Sequence, residues 1–180
     1  MKRLVIVCVI FSFFISGCVT VEKRGDTVIV DPWKKVGEKI EAFWKKLKGE
    51  TTEKQTGARE EAVKRYEYKG LTDEIIVERP VVTPSVVNPG DKVKQELQYT
   101  LLSPQEGKRF RVLESVVLSS SKDTIELIKR ESEKAQGIYL STVEFTLPAD
   151  LDPGEYKLIS TISIGGQKKT VSGSFKLRRL

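Results

Sequence analysis

Asn88-Pro89-Gly90-Asp91-Lys92-Val93-Lys94-Gln95-Glu96-Leu97-Gln98-Tyr99-Thr100-Leu101 reads as a tight turn that opens onto a half-buried strand. Asn-Pro-Gly-Asp is turn chemistry, since each of the four residue types favours a chain reversal for its own backbone reason. Beyond it Val93, Leu97, Tyr99 and Leu101 alternate with Lys92, Lys94, Glu96 and Gln98. A period of two puts the apolar side chains on one face of a strand and the polar ones on the other.

The same period holds from about Ile75 to the end of the chain. Phe110, Val112, Val116 and Leu118 form the next run. Others follow around Ile125 to Leu127, at Tyr139, Val143, Phe145 and Leu147, at Tyr156, Leu158, Ile162 and Ile164, and at Val171, Phe175 and Leu177. Turn signals separate them at Ser103 to Gly107, Ser119 to Asp123, Asp152-Pro153-Gly154 and Gly165-Gly166. With a proline-interrupted strand before Asn88, these make seven short strands. That spacing predicts a mainly β fold whose C-terminal part is a seven-stranded antiparallel sandwich over residues 73–180.

Asp152-Pro153-Gly154-Glu155-Tyr156 resembles the D-x-G-x-Y corner of the immunoglobulin-like superfamily, which precedes the sixth strand and bonds a tyrosine hydroxyl back to nearby backbone. The Asn88 to Asp91 turn also resembles the turn entering the second strand of many bacterial Ig-like modules. The resemblance implies an Ig-like or fibronectin-like sandwich with Tyr156 as a fold residue. It departs from antibody-type domains, because there is no cystine pair and no tryptophan in the third strand.

Upstream, residues 49–72 are polar and charged, with a short helix-compatible stretch from Ala58 to Tyr68. They read as a linker, which as a flexible coil would span about 25–30 Å. Before it, Asp31-Pro32 supplies an N-cap and a proline for the first helical position. Trp33, Val36, Ile40, Phe43, Trp44 and Leu47 then fall on one face of a helix over 32–48, with six lysines around the rest and Gly49 as a stop. Tryptophan with lysine suits a helix lying in a membrane interface, and the same apolar stripe suits docking on the folded domain or a partner helix. Residues 18–31 alternate weakly around Lys23-Arg24-Gly25-Asp26, compatible with a small hairpin. Arg24-Gly25-Asp26 matches an integrin-recognised tripeptide, but the turn explains it more simply.

Residues 1–17 have a basic start at Lys2 and Arg3, an apolar run from Leu4 to Phe14, and Ile15-Ser16-Gly17 before Cys18. That run is shorter than the about 20 residues a spanning helix needs. The segment resembles bacterial lipoprotein signal peptides. The resemblance implies cleavage between Gly17 and Cys18, acylation of Cys18, and membrane attachment through it. The acyl chains contribute about 0.8 kcal/mol per buried methylene. Val19 follows where the family's inner-membrane retention residue, Asp, would stand, which implies the outer membrane in a cell that has two. Cys8 departs with the leader, so no disulfide is expected. Loss of Lys2 and Arg3 leaves 29 basic and 25 acidic residues, a side-chain charge of +4, which is no nucleic-acid signature.

The chain has no histidine, which excludes histidine general bases, Ser-His-Asp and Cys-His nucleophiles and histidine zinc sites. Gly165-Gly166 has no following helix and is hairpin chemistry rather than a phosphate cradle. Glu114 and Glu144 interrupt or flank apolar faces and are the candidates for a carboxylate pair, although misplaced charge on strands also guards against edge pairing. Asp150 and Asp152 lie beside a turn without an EF-hand pattern, and Ser119-Ser120-Ser121-Lys122 is a polar turn. No catalytic residue, cofactor or metal is assigned. The expectation is a lipid-anchored envelope protein whose sandwich binds or assembles with an envelope protein partner. A carboxylate-dependent hydrolase or carbohydrate-binding protein, and a structural spacer subunit, are the alternatives.

Overall fold

The computed structural model describes residues 49–121 and 124–178. The leader, Cys18, the 18–31 segment and the 32–48 helix with its tryptophans lie outside the described residues. The described part is mainly β, with ten strands and one short helix. They run as β1 (Gly49–Gly57), α1 (Arg59–Arg65), β2 (Glu74–Val77), β3 (Val81–Thr83), β4 (Val86–Val87), β5 (Lys92–Leu102), β6 (Phe110–Ser119), β7 (Thr124–Lys134), β8 (Gly137–Thr146), β9 (Gly154–Ile164) and β10 (Gln167–Leu177). Two five-stranded sheets face each other. One has the order β1-β8-β5-β2 with β3 also on β5, and the other the order β4-β10-β9-β6-β7.

The alternation read from Val93 to Leu101 is the pleat of β5, whose odd-numbered residues are buried from Val93 to Leu101. Its inward residues meet those of β8 and, across the gap, β6, β9 and β10. Tyr99 stacks on Tyr139 with ring centroids 5.5 Å apart, and Phe175 stacks on Tyr156 at the same separation. These rings with Phe145, Leu158 and Ile162 form the core. A polar bridge crosses it: the buried Gln95 amide donates to the Leu158 carbonyl at 3.3 Å, and Ser160 Oγ donates to Gln95 Oε1 at 3.0 Å. A buried amide satisfied on both sides is tolerated, whereas an unpaired one would be costly. At the start of β9, Tyr156 Oη donates to the Asp152 carbonyl at 2.7 Å, closing the corner over Pro153-Gly154.

Three sequence expectations are corrected. Residues 49–72 are not a linker: Gly49 opens β1, whose residues pair antiparallel with β8 from Gly49↔Phe145 to Gly57↔Ile138. α1 then lies on the outer face of the same sheet, where Ala62, Val63 and Tyr66 cover Leu102, Ile138 and Ile76. The helix lacks enough apolar surface to stand alone, and the sheet supplies the rest. The folded unit therefore includes residues 49–72 and does not begin at residue 73. Next, residues 73–180 hold nine strands among the described residues rather than seven, because the proline-interrupted strand is three pieces, and β1 makes the tenth. Pro80 and Pro84 each lack a ladder donor, so the segment breaks and crosses from β5 in one sheet to β10 in the other. Lastly, the sheets are not wholly antiparallel, since β4 pairs parallel with β10 at Val86↔Lys176 and Val87↔Leu177.

The register fixes the two ends of the sandwich. Gly49 lies by Phe145 and Val93, at the end formed by the 88–91 turn and the 147–153 loop, where the Gly90 amide bonds the Leu147 carbonyl. The Gly165-Gly166 turn, the 103–109 loop and α1 are at the other end.

Gly137 seats the far end of β1. Its φ is +145°, and a Cβ there would lie 2.6 Å from both the Gly57 carbonyl oxygen and Gln55 Nε2. Gly137→Ala is expected to lower stability by about 1–3 kcal/mol, read from urea unfolding, with increased hydrogen exchange confined to β1.

Candidate functional site

The two long sides of the sandwich are built differently. On one, β1 and β7 are the facing edges, and charged side chains close the gap between them. Glu114 of β6 points into the core with its side chain 2% exposed. Arg130 of β7 meets it through Nε at 2.8 Å and Nη2 at 2.6 Å, and Ser141 Oγ of β8 donates to its other oxygen at 2.5 Å. Arg130 Nη2 also lies 3.4 Å from Glu53 of β1, which in turn accepts from Lys134 and from the Tyr99 hydroxyl. Two carboxylates thus face two cations, with every named group partnered. Burial pushes the Tyr99 hydroxyl far above its ordinary range, and the Glu53 carboxylate adds to the shift, so the phenol stays a donor. Burial opposes the Arg130 charge, but Glu114 beside it, with help from Glu53 and Tyr99, more than compensates and raises its pKa. Carboxylates held this way close the gap between the two edges.

Glu114 and Glu144 are not brought together. Glu114 faces the core, whereas Glu144 is on the outer face of the other sheet, paired with Lys92 at 2.8 Å. That ion pair, mainly by its hydrogen bond, holds the Glu144 carboxyl below the usual range. Asp150 and Asp152 are exposed loop residues, and among the described residues no group of three or more Asp, Glu, Cys or His side chains has metal-binding geometry. Lys122 of the serine turn is outside the described residues. No helix among the described residues is long and apolar enough to cross a membrane.

On the other long side a cleft of about 550 Å3 remains between β2 and β10. Ile75, Val77 and Val171 give it an apolar floor continuous with the core. At one end Gln167 Nε2 donates to the Asp73 carbonyl at 2.8 Å, bridging the sheets. At the other, Val82 of β3 sits over Gly173, so close that a Cβ on the glycine would come within 2.5 Å of it. Lys108 holds the Asp73 carboxylate at 2.5 Å beside the rim, and this hydrogen bond keeps the Asp73 carboxyl below its ordinary range.

The cleft walls are strand edges. Lys176 N–H bonds the Ser85 carbonyl on the outer side of β10, and the β9 register is unbroken along the strand. Backbone groups in a strand alternate sides, so the N–H and C=O of Lys168, Thr170 and Ser172 also point outward. β4 covers that edge only at residues 176 and 177, which leaves these groups without a strand partner among the described residues. On β2, Glu78 N–H points to the Gln98 carbonyl of β5, so the groups of Ile75 and Val77 face the cleft. This site was not visible in the sequence, because an open edge depends on which strands fail to pair.

Neither a family model nor a curated protein matches the chain. Among solved structures, it is similar to an alkylpurine DNA glycosylase of Pseudomonas fluorescens bound to abasic-site DNA, at 16% identity and a TM-score of 0.47 over 58% of this chain and 30% of that one. It is also similar to the CARDB domain of a Pyrococcus furiosus protein in complex with di-metal ions, at 12% identity and a TM-score of 0.45 over 60% of this chain and 93% of that one. A β-glucosidase of Listeria innocua aligns at 14% identity and a TM-score of 0.41 over 58% of this chain and 16% of that one. The chain spans less than a third of the glycosylase and less than a fifth of the glucosidase.

Two outcomes test these sides. Glu114→Ala or Arg130→Ala leaves a buried charge unpaired and is expected to cost about 3–5 kcal/mol. Glu114→Leu with Arg130→Met removes both charges and should recover most of that loss in a double-mutant cycle. At the cleft, a carboxyl with a lowered folded-state pKa contributes stability above its unfolded value, near about 4, and loses it as pH falls through the folded one. Unfolding midpoints should therefore drop below about pH 4, and Asp73→Asn should make that drop smaller.

Proposed function

We propose that the protein is a lipid-anchored component of a bacterial cell envelope, whose sandwich is an Ig-like module that binds or assembles with a protein partner and performs no catalysis. The carrying observation is positional. The first described strand starts at Gly49, at the end with the 88–91 turn, whereas the open-edged cleft lies toward the opposite end, next to the Gly165-Gly166 turn. A tether through Cys18 would present that cleft away from the membrane and concentrate it near membrane-bound partners. The lipobox-like Ile15-Ser16-Gly17-Cys18 supports the anchor. The Tyr156 to Asp152 corner and the strand that changes sheet at Pro80 to Val86 support the Ig-like class. The non-catalytic reading is favoured over carboxylate hydrolysis because Glu114 and Glu144 lie on different faces, each already paired.

Cys18→Ser is expected to move the protein from the membrane pellet to the soluble fraction without changing its melting temperature. A variant that stays in the pellet would refute the anchor. Mild crosslinking in cells should trap wild-type protein with a defined partner, and recovery of the protein alone would refute the binding module.

A further inference from the structure

We propose that the cleft between β2 and β10 takes one extended segment of a partner polypeptide, which adds to the outer edge of β10 at Lys168 to Ser172 and carries carboxylates between alternate apolar residues. The inference rests on the binding-module reading and gives that module its ligand chemistry.

Backbone geometry supplies the first reason. Lys168, Thr170 and Ser172 aim three N–H and three C=O groups at the open edge, a ladder waiting for a strand. Two contacts bound the available length: the Gln167 to Asp73 bridge above and Val82 over Gly173 below. An added strand between them would have alternate side chains directed inward, beside Val171 and over the floor of Ile75 and Val77. Those positions call for apolar residues, because they extend the core cluster. The intervening side chains would lie with Thr170 and Ser172 on the outer face, where both are exposed.

Charge supplies the second reason. Lys168 is on the outer face at the open edge and Lys169 is at the mouth of the cleft, both exposed, and neither pairs with a carboxylate among the described residues. Of the two acids at the rim, Asp73 is already held by Lys108, and Glu74 alternates with Ile75 onto the outer face of β2, on the side of Ile76 and Leu102. Two uncommitted cations beside three uncommitted backbone pairs select an acidic strand over a basic one. Edge lysines also discourage sheet-to-sheet pairing of two copies of this chain, which would bring four of them together. A short segment from a partner avoids that repulsion.

The test uses the full chain carrying Cys18→Ser and two capped seven-residue peptides, one of alternating valine and glutamate, the other with lysine for glutamate. In an NMR titration the glutamate peptide should shift and protect the amides of Lys168, Thr170 and Ser172, and bind about tenfold more tightly than the lysine peptide. Lys168→Glu with Lys169→Glu should reverse that order. Thr170→Pro should abolish binding of both, because its outward N–H is lost while the ladder to β9 keeps all its donors. Equal affinities for the two peptides, unshifted edge amides or full binding by a folded Thr170→Pro protein would overturn the proposal. If Thr170→Pro fails to melt cooperatively, the charge reversal, confined to exposed side chains, decides alone. A cellular crosslink that survives Thr170→Pro would overturn strand addition and leave the binding module standing. No crosslink by wild type, with the glutamate peptide bound on β10, would refute the module reading and keep the site.

Discussion

A sandwich of two sheets has a hydrophobic middle and two long flanks, and each flank must be closed or left as a surface. Here the closure of one flank depends on the ion pair between Glu114 and Arg130. Glu114 is almost wholly buried on β6, so its charge is tolerable only because Arg130 reaches in from β7 and Ser141 from β8. The same guanidinium then touches Glu53, and through Glu53 the polar first strand is brought into the fold. β1 offers almost nothing apolar to hold it. Its position follows from the backbone ladder to β8 and from one inward carboxylate.

With that flank sealed by charge, the opposite flank has a different character. β2, β3 and β4 are short pieces that cannot cover β10 along its length, so β10 keeps an exposed run of backbone groups above Gly173. The prolines that break the segment, the side chain of Val82 that reaches across to β10 and the Gln167 bridge together fix the size of the opening. The cleft is therefore a product of incomplete pairing between the sheets.

Most of the strand content was legible because burial on one face writes itself as alternation. β5, β6, β8, β9 and β10 carry it plainly, and Tyr156 in its Asp-Pro-Gly-Glu-Tyr setting marked the corner. β1 was not legible, since Gly49-Glu50-Thr51-Thr52-Glu53-Lys54-Gln55-Thr56-Gly57 has no apolar period and is held by its backbone ladder and by the polar contacts of Glu53. α1 was visible as a weak Ala58, Ala62, Tyr66 repeat, but the surface that stabilises it belongs to β5 and β8. Glu114 was noticed as an odd charge on an apolar face. Its partner, sixteen residues on, becomes apparent only once β6 and β7 pair in register. The cleft had no signal in the sequence for a similar reason, being defined by pairs that do not form.

The placement of β1 has a mechanical consequence. It runs antiparallel to β8 through eight register pairs that start at Gly49. A pull on that end along the strand axis loads the whole ladder in shear, and the bonds share the load instead of being peeled away one by one. Glu53 adds a cross-pin near the middle, tying the pulled strand to Arg130 and Lys134 of the opposite sheet. The least hydrophobic strand among the described residues is thus placed where the ladder resists extension collectively.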